Sequence, residues 1–412
     1  MALETEAPTQ PRRTQQAIAL GLLFAAGVIN FFDRASLSVA NNTIRAEMHL
    51  SATEMGWLLS AFSLAYGIAQ LPLVELISRF GTRSVLGAGL GLWSAAQALT
   101  SFVRGLPSFL LLRVLLGAGE SPFYPCGVQI VRDWFSERAR GRATGLMSSS
   151  QTFTLAIAPP VLALLILRIG WRAMFLGLGV AGLLVTIAWF AVFREPATQP
   201  ASGEPVQRTP WSRFLRSRTV WGMMLGWGGI NYTVWLYLAW IPGYLQTARQ
   251  LSLARTGLLA AIPFLAGALG MLSSGLVADG FRQRGVALTR IHLTNLVAGM
   301  IVSAMSTFAV SRCSSTAGAV AGISFAIFFI HFAGTSGWGY AQVIGGPRHA
   351  ASLGALQNFA SFLIASAAPV LTGWLLDRTR SFTLALTLCS AVTLLGALSY
   401  ATLARPQRNR VL

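Results

Sequence analysis

Four ionisable residues stand apart because of the company they keep. Asp33 and Arg34 fall inside an apolar run at about 16–40, and Arg113 and Glu120 fall inside another at about 106–130. The chain has 13 acidic residues and 31 basic ones, every basic one an arginine, yet only these four lie deep in apolar segments. Charge at membrane depth is costly, so such residues face a cavity, pair with one another and carry function. Arg113 and Glu120 are seven residues apart, two helical turns, and share a helix face. Asp33 and Arg34 are neighbours and point to different sides of theirs, so one can meet the second helix while the other faces elsewhere in the cavity. The set suggests a definite chemistry. A guanidinium fork matches a carboxylate bidentately, and each acid can trade an ion pair for a proton as the cavity opens. A bound anion would then replace one of the two internal carboxylates. The plainer alternative is a structural salt bridge tying the two helices together.

Composition dictates what holds these residues. Hydrophobic residues make up 54% of the 412 and charged ones only 11%, against roughly 25% charged in a soluble domain. Apolar segments long enough to cross a bilayer, about 20 residues each, recur at 16–40, 54–77, 84–103, 106–130, 143–167 and 172–193. Residues 194–217 are rich in Pro, Gln, Ser, Gly, Glu and Arg and read as a linker. Six more segments follow at 218–245, 254–278, 287–311, 316–343, 351–376 and 381–403. The expectation is an all-α membrane protein of twelve transmembrane helices in two pseudo-symmetric six-helix bundles, 1–193 and 218–412, around a central cavity. The halves echo one another weakly. Arg79-Phe-Gly-Thr-Arg83 after the second segment is answered by Asp279-Gly-Phe-Arg-Gln-Arg284 after the eighth. Duplicated halves with a midplane site between them are a transporter arrangement. The first 16 residues are polar and no A-x-A site follows the first apolar run, so that run reads as a retained span.

The formal net charge of +18 does not indicate nucleic-acid binding, because the arginines sit in short loops between apolar runs and not on a hydrophilic face. With the N-terminus inside, 20 arginines fall in loops and tails on the cytoplasmic side and nine, from Arg45 to Arg380, on the other. That asymmetry predicts both termini in the cytoplasm. Cys126, Cys313 and Cys389 are odd in number and widely spaced, with no zinc or disulfide framework. His49, His292, His331 and His349 are scattered without partners at useful spacing, which disfavours a membrane-embedded enzyme.

The run Asn30-Phe-Phe-Asp33-Arg34, with Arg113-x-x-x-Gly117-x-x-Glu120, resembles the anion:cation symporter family of the major facilitator superfamily. Asp133-Trp-Phe-Ser-Glu-Arg138-x-Arg-Gly-Arg-Ala and the run from Asn358 through Pro369 to Gly373 are similar to further motifs of that family. The resemblance covers essentially the whole chain. It implies proton-driven import of an organic anion by alternating access, with sugar acids (hexonates, hexarates, hexuronates) foremost. Aromatic or other carboxylates are the alternative, and a proton-driven drug exporter is the nearest rival outside the family. By the same resemblance Asp33 and Glu120 carry the protons and Arg34 pairs with Glu120 and touches substrate. Tyr66, Gln151 and Asn358 line the sugar-acid site, and Arg113 adds positive potential. The sequence also departs from the family. Phe31 stands where a tyrosine is common, and Val74 and Ser78 replace the usual Gly and Asp of the loop after the second span, with Glu75 nearby.

Other readings come from local pattern. Asn231, Tyr232, Trp235 and Tyr237 make the seventh span polar and aromatic, and one face is expected to meet substrate. Ser336 and Trp338, beside Thr335 and His331, are expected to reach the cavity from the tenth, whereas His331 itself is left out of the site. Trp240 and Tyr244 read as interfacial anchors, and Glu75 as a surface charge or a gating partner. No cofactor or metal is expected, the coupling ion being a proton. The partners expected are an organic anion and the lipid bilayer, with no nucleic acid, and the protein is expected to act as a monomer in a bacterial inner membrane.

Overall fold

The computed structural model describes residues 13–195 and 211–404. All the regular structure among them is helical: α1 (Arg13–Met48), α2 (Ala52–Ala69), α3 (Leu73–Thr100), α4 (Leu106–Glu120), α5 (Phe123–Trp134), α6 (Glu137–Val192), α7 (Trp211–Leu215), α8 (Arg218–Thr247), α9 (Leu253–Gln283), α10 (Leu288–Arg312), α11 (Thr316–Ala365), α12 (Ala367–Thr379) and α13 (Thr383–Thr402). Most of the stretch expected as a linker, 196–210, lies outside the described residues.

Helix count and span count differ for a physical reason. At 1.5 Å per residue the 56 residues of α6 would run nearly three times the ~30 Å hydrocarbon thickness. The chain instead reverses at Gly170, whose φ of 79° and ψ of 162° suit only a residue without a Cβ. Gly81 in α3 and Gly346 in α11 turn the chain in the same way. Other spans are broken without reversing. Pro72 separates α2 from α3, Ser121-Pro122 separates α4 from α5, and Ser366 separates α11 from α12. A proline lacks the N–H that would continue the ladder. Cut at the three glycines and joined across the three breaks, the helices make twelve crossings, six before α7 and six after. Seven helices are by themselves long and apolar enough to cross a membrane. The remaining crossings are the second limb of α6, the spans shared among α2 to α5, and the polar-aromatic α8.

The buried core shows how the two sets of six crossings meet. On the face bearing the α1–α2 and α8–α9 turns, here the far face, one continuous core joins Val39, Met55, Leu162 and Phe175 to Tyr232, Trp240, Ile323 and Phe382. Toward the opposite face, which carries both ends of the described chain, the cores separate. One is built mainly from the first six crossings around Trp93, Phe123 and Trp189. Two smaller ones belong to the last six, around Trp227 and Met300 and around Phe214 and Leu356. The halves are therefore fused at the far face and part company toward the terminal face.

At the far face, α2 and α12 touch backbone to backbone. A Cβ on Gly373 would stand 2.1 Å from the Ala52 carbonyl oxygen, and one on Gly56 would stand 2.7 Å from that of Pro369. Small residues permit this approach between membrane helices. Hydrogen bonds reinforce it: Asp377 accepts from the Ala52 and Thr53 amides at 3.0 and 2.7 Å and from the Thr53 hydroxyl at 2.6 Å. Those amides are orphan donors of a helix N-terminus, so Asp377 caps α2 from the other half of the molecule, alongside the capping box of Ser51 and Glu54. Ser38 donates to the Ala239 carbonyl at 2.9 Å, joining a second helix pair, α1 and α8, at the same face.

Trp240 and Tyr244 are not interfacial anchors. Both are buried in the shared core against Phe382, and the Trp240 indole donates to the Pro369 carbonyl at 3.1 Å. Their end of α8 faces α1 and α12 and not lipid. Glu75 is exposed on α3.

Candidate functional site

The four charges of α1 and α4 converge at the junction of the two halves. Arg34 Nε donates to Glu120 Oε2 at 2.8 Å, with Glu120 fully buried and Arg34 nearly so. Asp33 is fully buried, and Glu120 and Arg113 are the charges that act on it most. Arg113, also buried, donates from Nε to the Leu58 carbonyl at 3.3 Å. The break at Ser121-Pro122 follows directly on Glu120. A discontinuous helix at the bilayer midplane is a recurrent device for bringing polar groups to a transport site.

Aromatic rings box the guanidinium groups. Arg34 lies 4.8 Å from the Tyr66 ring centre, 4.9 Å from Phe31 and 5.4 Å from Phe62. Arg113 lies 5.0 Å from Phe62, so the two cations share that ring. Phe62 meets Trp235 at 5.8 Å, Tyr66 meets Phe362 at 5.0 Å, and Trp235 meets Phe362 at 6.0 Å. Ring faces attract cations, more so in a desolvated setting, and these rings hold the arginines without neutralising them.

Several charged atoms keep unused bonding capacity. Arg34 Nη2, Arg113 Nη1, Glu120 Oε1 and both Asp33 carboxylate oxygens are buried and lack a hydrogen-bond partner among the described residues. Buried polar groups are ordinarily satisfied, and a cluster of exceptions is a sign of a site; of these residues the two arginines line a void. The void is a cavity of about 10 Å³ lined by Arg34, Leu59, Phe62, Arg113, Trp235, Leu238 and Ala239. That is room for one water at most. The walls come from both halves, so a larger occupant requires them to move apart.

The remaining residues singled out from sequence divide into two groups. Tyr66 joins the charged cluster. Gln151 is bonded through its Oε1 by the Tyr124 hydroxyl at 2.8 Å, and Tyr124 is coupled electrostatically to Arg34 and Tyr66. Asn231 donates to Ser361 Oγ at 2.5 Å, and Asn358 donates to Gln70 Oε1 at 3.2 Å. Ser336 and Trp338 are not brought to the cluster. Ser336 is buried against Ser274 at 3.0 Å, and Trp338, 44% exposed, stands edge-on to Trp227 at 5.3 Å. The turn from α11's first limb places both nearer the terminal face. Tyr237 is likewise turned away from the site, donating to Thr307 within the second half. Sequence reasoning missed Phe62, Tyr124, Ser361 and Phe362 in the site wall. The spacing of Phe62 from Tyr66, four residues on one helix face, was the available signal.

A family model described as Major Facilitator Superfamily matches residues 23–369. The chain belongs to that superfamily. Two solved facilitator structures share its fold. A bacterial homologue of the human lysosomal transporter Spinster, in an inward-facing and occupied conformation, gives a TM-score of 0.81 at 17% identity over 95% of this chain and 97% of that one. A D-xylose-proton symporter gives 0.80 at 14% identity over 96% and 99%. Among curated relatives, a probable L-galactonate transporter of Escherichia coli (strain K12) is 48% identical, over 96% of this chain and 90% of the relative. A hexuronate transporter of Bacillus subtilis (strain 168) is 28% identical, over 93% of each. A probable galactarate/D-glucarate transporter of Escherichia coli (strain K12) is also 28% identical, again over 93% of each. The facilitator membership and the sugar-acid character of these relatives agree with the resemblance drawn from the motifs in α1, α4 and α11.

Proposed function

We propose that this facilitator imports a hexonate, L-galactonate foremost, together with protons across a bacterial inner membrane, acting as a monomer with both termini in the cytoplasm. The observation that carries the reading is the pair of guanidinium groups with free N–H donors, Arg34 Nη2 and Arg113 Nη1, at a cavity shared by both halves. Charge-assisted, bidentate contacts to a carboxylate are what such groups make best. The 48% identity to a probable L-galactonate transporter supports the choice of acid.

Charge balance supplies the coupling. Two guanidinium groups and two carboxylates sum to zero, so a monovalent acid entering the cluster adds one uncompensated negative charge. At least one proton on Glu120 or Asp33 restores neutrality, and burying net charge without it is costly. Protonation of Glu120 frees Arg34 from its ion pair, and the substrate carboxylate takes the vacated place. On the other side, loss of the proton lets Glu120 reclaim Arg34 and displaces the acid.

The bundles 1–193 and 218–412, joined by 194–217, rock about this centre. With the far face taken as periplasmic, the fused core there corresponds to an inward-facing arrangement, narrowed at its centre to a cavity too small for substrate. Arg34 and Glu120 then act as a switchable pair, Asp33 as the second proton acceptor, and Arg113 as a fixed positive wall. Tyr66, Gln151, Asn231 and Asn358 contact the hydroxylated part of the acid. Ser336 and Trp338 join the wall only in another stage of the cycle.

Purified protein in proteoliposomes tests the reading. An inward proton gradient should drive accumulation of labelled L-galactonate, with protons entering alongside it. A panel of hexonates, hexuronates, hexarates and aromatic acids that produced neither binding nor uptake would overturn it. Preference for aromatic acids would move the substrate to the alternative class.

A further inference from the structure

Beside the charged cluster runs a polar chain with no charge in it. Asn231 Nδ2 donates to Ser361 Oγ at 2.5 Å, Ser361 Oγ donates to the Asn358 carbonyl at 2.6 Å, and Asn358 Nδ2 donates to Gln70 Oε1 at 3.2 Å. Ser361 is fully buried and the three amides are half-buried. The last bond crosses between the halves. Among the described residues, the other hydrogen bonds that do so lie at the far face, at Ser38, Asn42, Ala52 and Thr53.

Its position relative to Arg34 follows from helix geometry. Gln70 is four residues after Tyr66, and Asn358 is four before Phe362. The Tyr66 and Phe362 rings are 5.0 Å apart, and the Arg34 guanidinium is 4.8 Å from the Tyr66 ring. Four residues amount to about 6 Å of rise on the same helix face. The amide pair therefore lies one turn beyond the guanidinium, toward the terminal face. Five carbon–carbon bonds of ~1.5 Å each, laid out in zigzag, span roughly 6 Å. A six-carbon acid with its carboxylate on Arg34 reaches the amides with its far end, and a three-carbon acid does not.

The local chain is also interrupted at this point. Gln70 follows the last residue of α2, and Leu71 and Pro72 separate it from α3. Irregular backbone at membrane depth is tolerated where it is buried in protein or lines a cavity. Gln70 also sits in a pairing suited to being opened. Its Oε1 accepts and Asn358 Nδ2 donates, so a hydroxyl inserted between them accepts from one and donates to the other. When no acid is present the two amides satisfy each other, and neither is left as an orphan.

We propose that Gln70 is a specificity-determining residue that, with Asn358, reads a distal hydroxyl of a polyhydroxylated six-carbon acid. Ser361 is a positioning residue that holds Asn358 and Asn231 in register. The assignment rests on the sugar-acid reading above. It adds to it the end of the substrate that is recognised and the residue in the first half of the chain that recognises it.

Counterflow in proteoliposomes without a proton gradient tests this, with labelled L-galactonate competed by L-galactonate, by its 6-deoxy analogue and by glycerate. For the native protein the 6-deoxy analogue should compete roughly tenfold or more weakly than the full acid, as expected where a buried hydrogen-bonding group loses its partner. Gln70→Ala should bring the two acids within about twofold, through loss of affinity for the full acid alone. Gln70→Asn should restore part of the preference, and Ser361→Ala should give an intermediate value. The unaltered competition by the 6-deoxy acid reports that each variant is folded. Undiminished discrimination in both Gln70 variants, or an equal loss for both acids, would overturn the role of Gln70 while leaving the sugar-acid reading intact. No exchange of any hexonate by the native protein would overturn both.

Discussion

The two walls of the central cavity are built from different chemistry. The wall from the first six crossings carries every charge at the centre: Asp33, Arg34, Arg113 and Glu120 on α1 and α4. The facing wall, from α8 and α11, offers Asn231, Trp235, Asn358, Ser361 and Phe362, which are neutral. A duplicated fold has thus divided its labour. Charge is kept on helices that pack within one half, so the Arg34–Glu120 ion pair needs nothing from the other half. Shape and hydrogen bonding are shared with the other half.

Perturbations of each wall should separate the two roles. The largest effect is expected from Arg34→Ala, which removes the switchable cation and leaves Glu120 buried without its partner. Breaking such a pair costs about 3–5 kcal/mol, and L-galactonate transport should fall a hundredfold or more in initial-rate assays. Glu120→Gln should abolish accumulation driven by a proton gradient and flatten its pH dependence, yet preserve exchange of labelled for unlabelled acid. Accumulation unchanged in both Glu120→Gln and Asp33→Asn would break the assignment of proton chemistry to the first wall. On the second wall, Trp235→Leu should raise KM roughly tenfold, the equivalent of about 1.4 kcal/mol, with the pH profile unmoved. A shifted pH profile there would mean that the walls do not divide the work. Asp377→Ala removes the cap that one half places on the other. Loss of a cap is worth about 1 kcal/mol, so the far face should open several-fold more often. The check is alkylation of Ala239→Cys in a background without the native cysteines. Glu75→Gln, on the exposed surface of α3, should leave transport unchanged and alter stability by less than about 0.5 kcal/mol.

The first wall was far more legible in the sequence than the second. A charge in an apolar run announces itself, and spacing alone placed Arg113 and Glu120 on one helix face. Span positions followed from the same contrast between apolar and polar stretches. What the sequence left open was direction. Trp240 and Tyr244 have the composition of lipid-interface anchors but are turned toward the partner half, and periodicity does not say which side of a wholly apolar helix is covered. Ser336 and Trp338 were read by type, whereas their depth depends on how the first limb of α11 is set. The break at Pro72 is hidden because the run 54–77 stays apolar across it, and Gln70 is one neutral polar residue within that run. Its significance depends on Asn358, 288 positions later, a juxtaposition that no local pattern encodes.

The contact of α2 with α12 has one more consequence. At Gly56 and Gly373 backbone lies against backbone, with no room for a Cβ on either. Interdigitated ridges must be unpicked tooth by tooth, but two smooth plates separate in a single motion once their catch is lifted. The catch is Asp377 on the amino end of α2. One carboxylate and three hydrogen bonds thereby hold α2 to α12, beside the Ser38 and Asn42 bonds that join α1 to α8 on the same face, so a ligand that competed for the donors to Asp377 would loosen the first pair and leave the second.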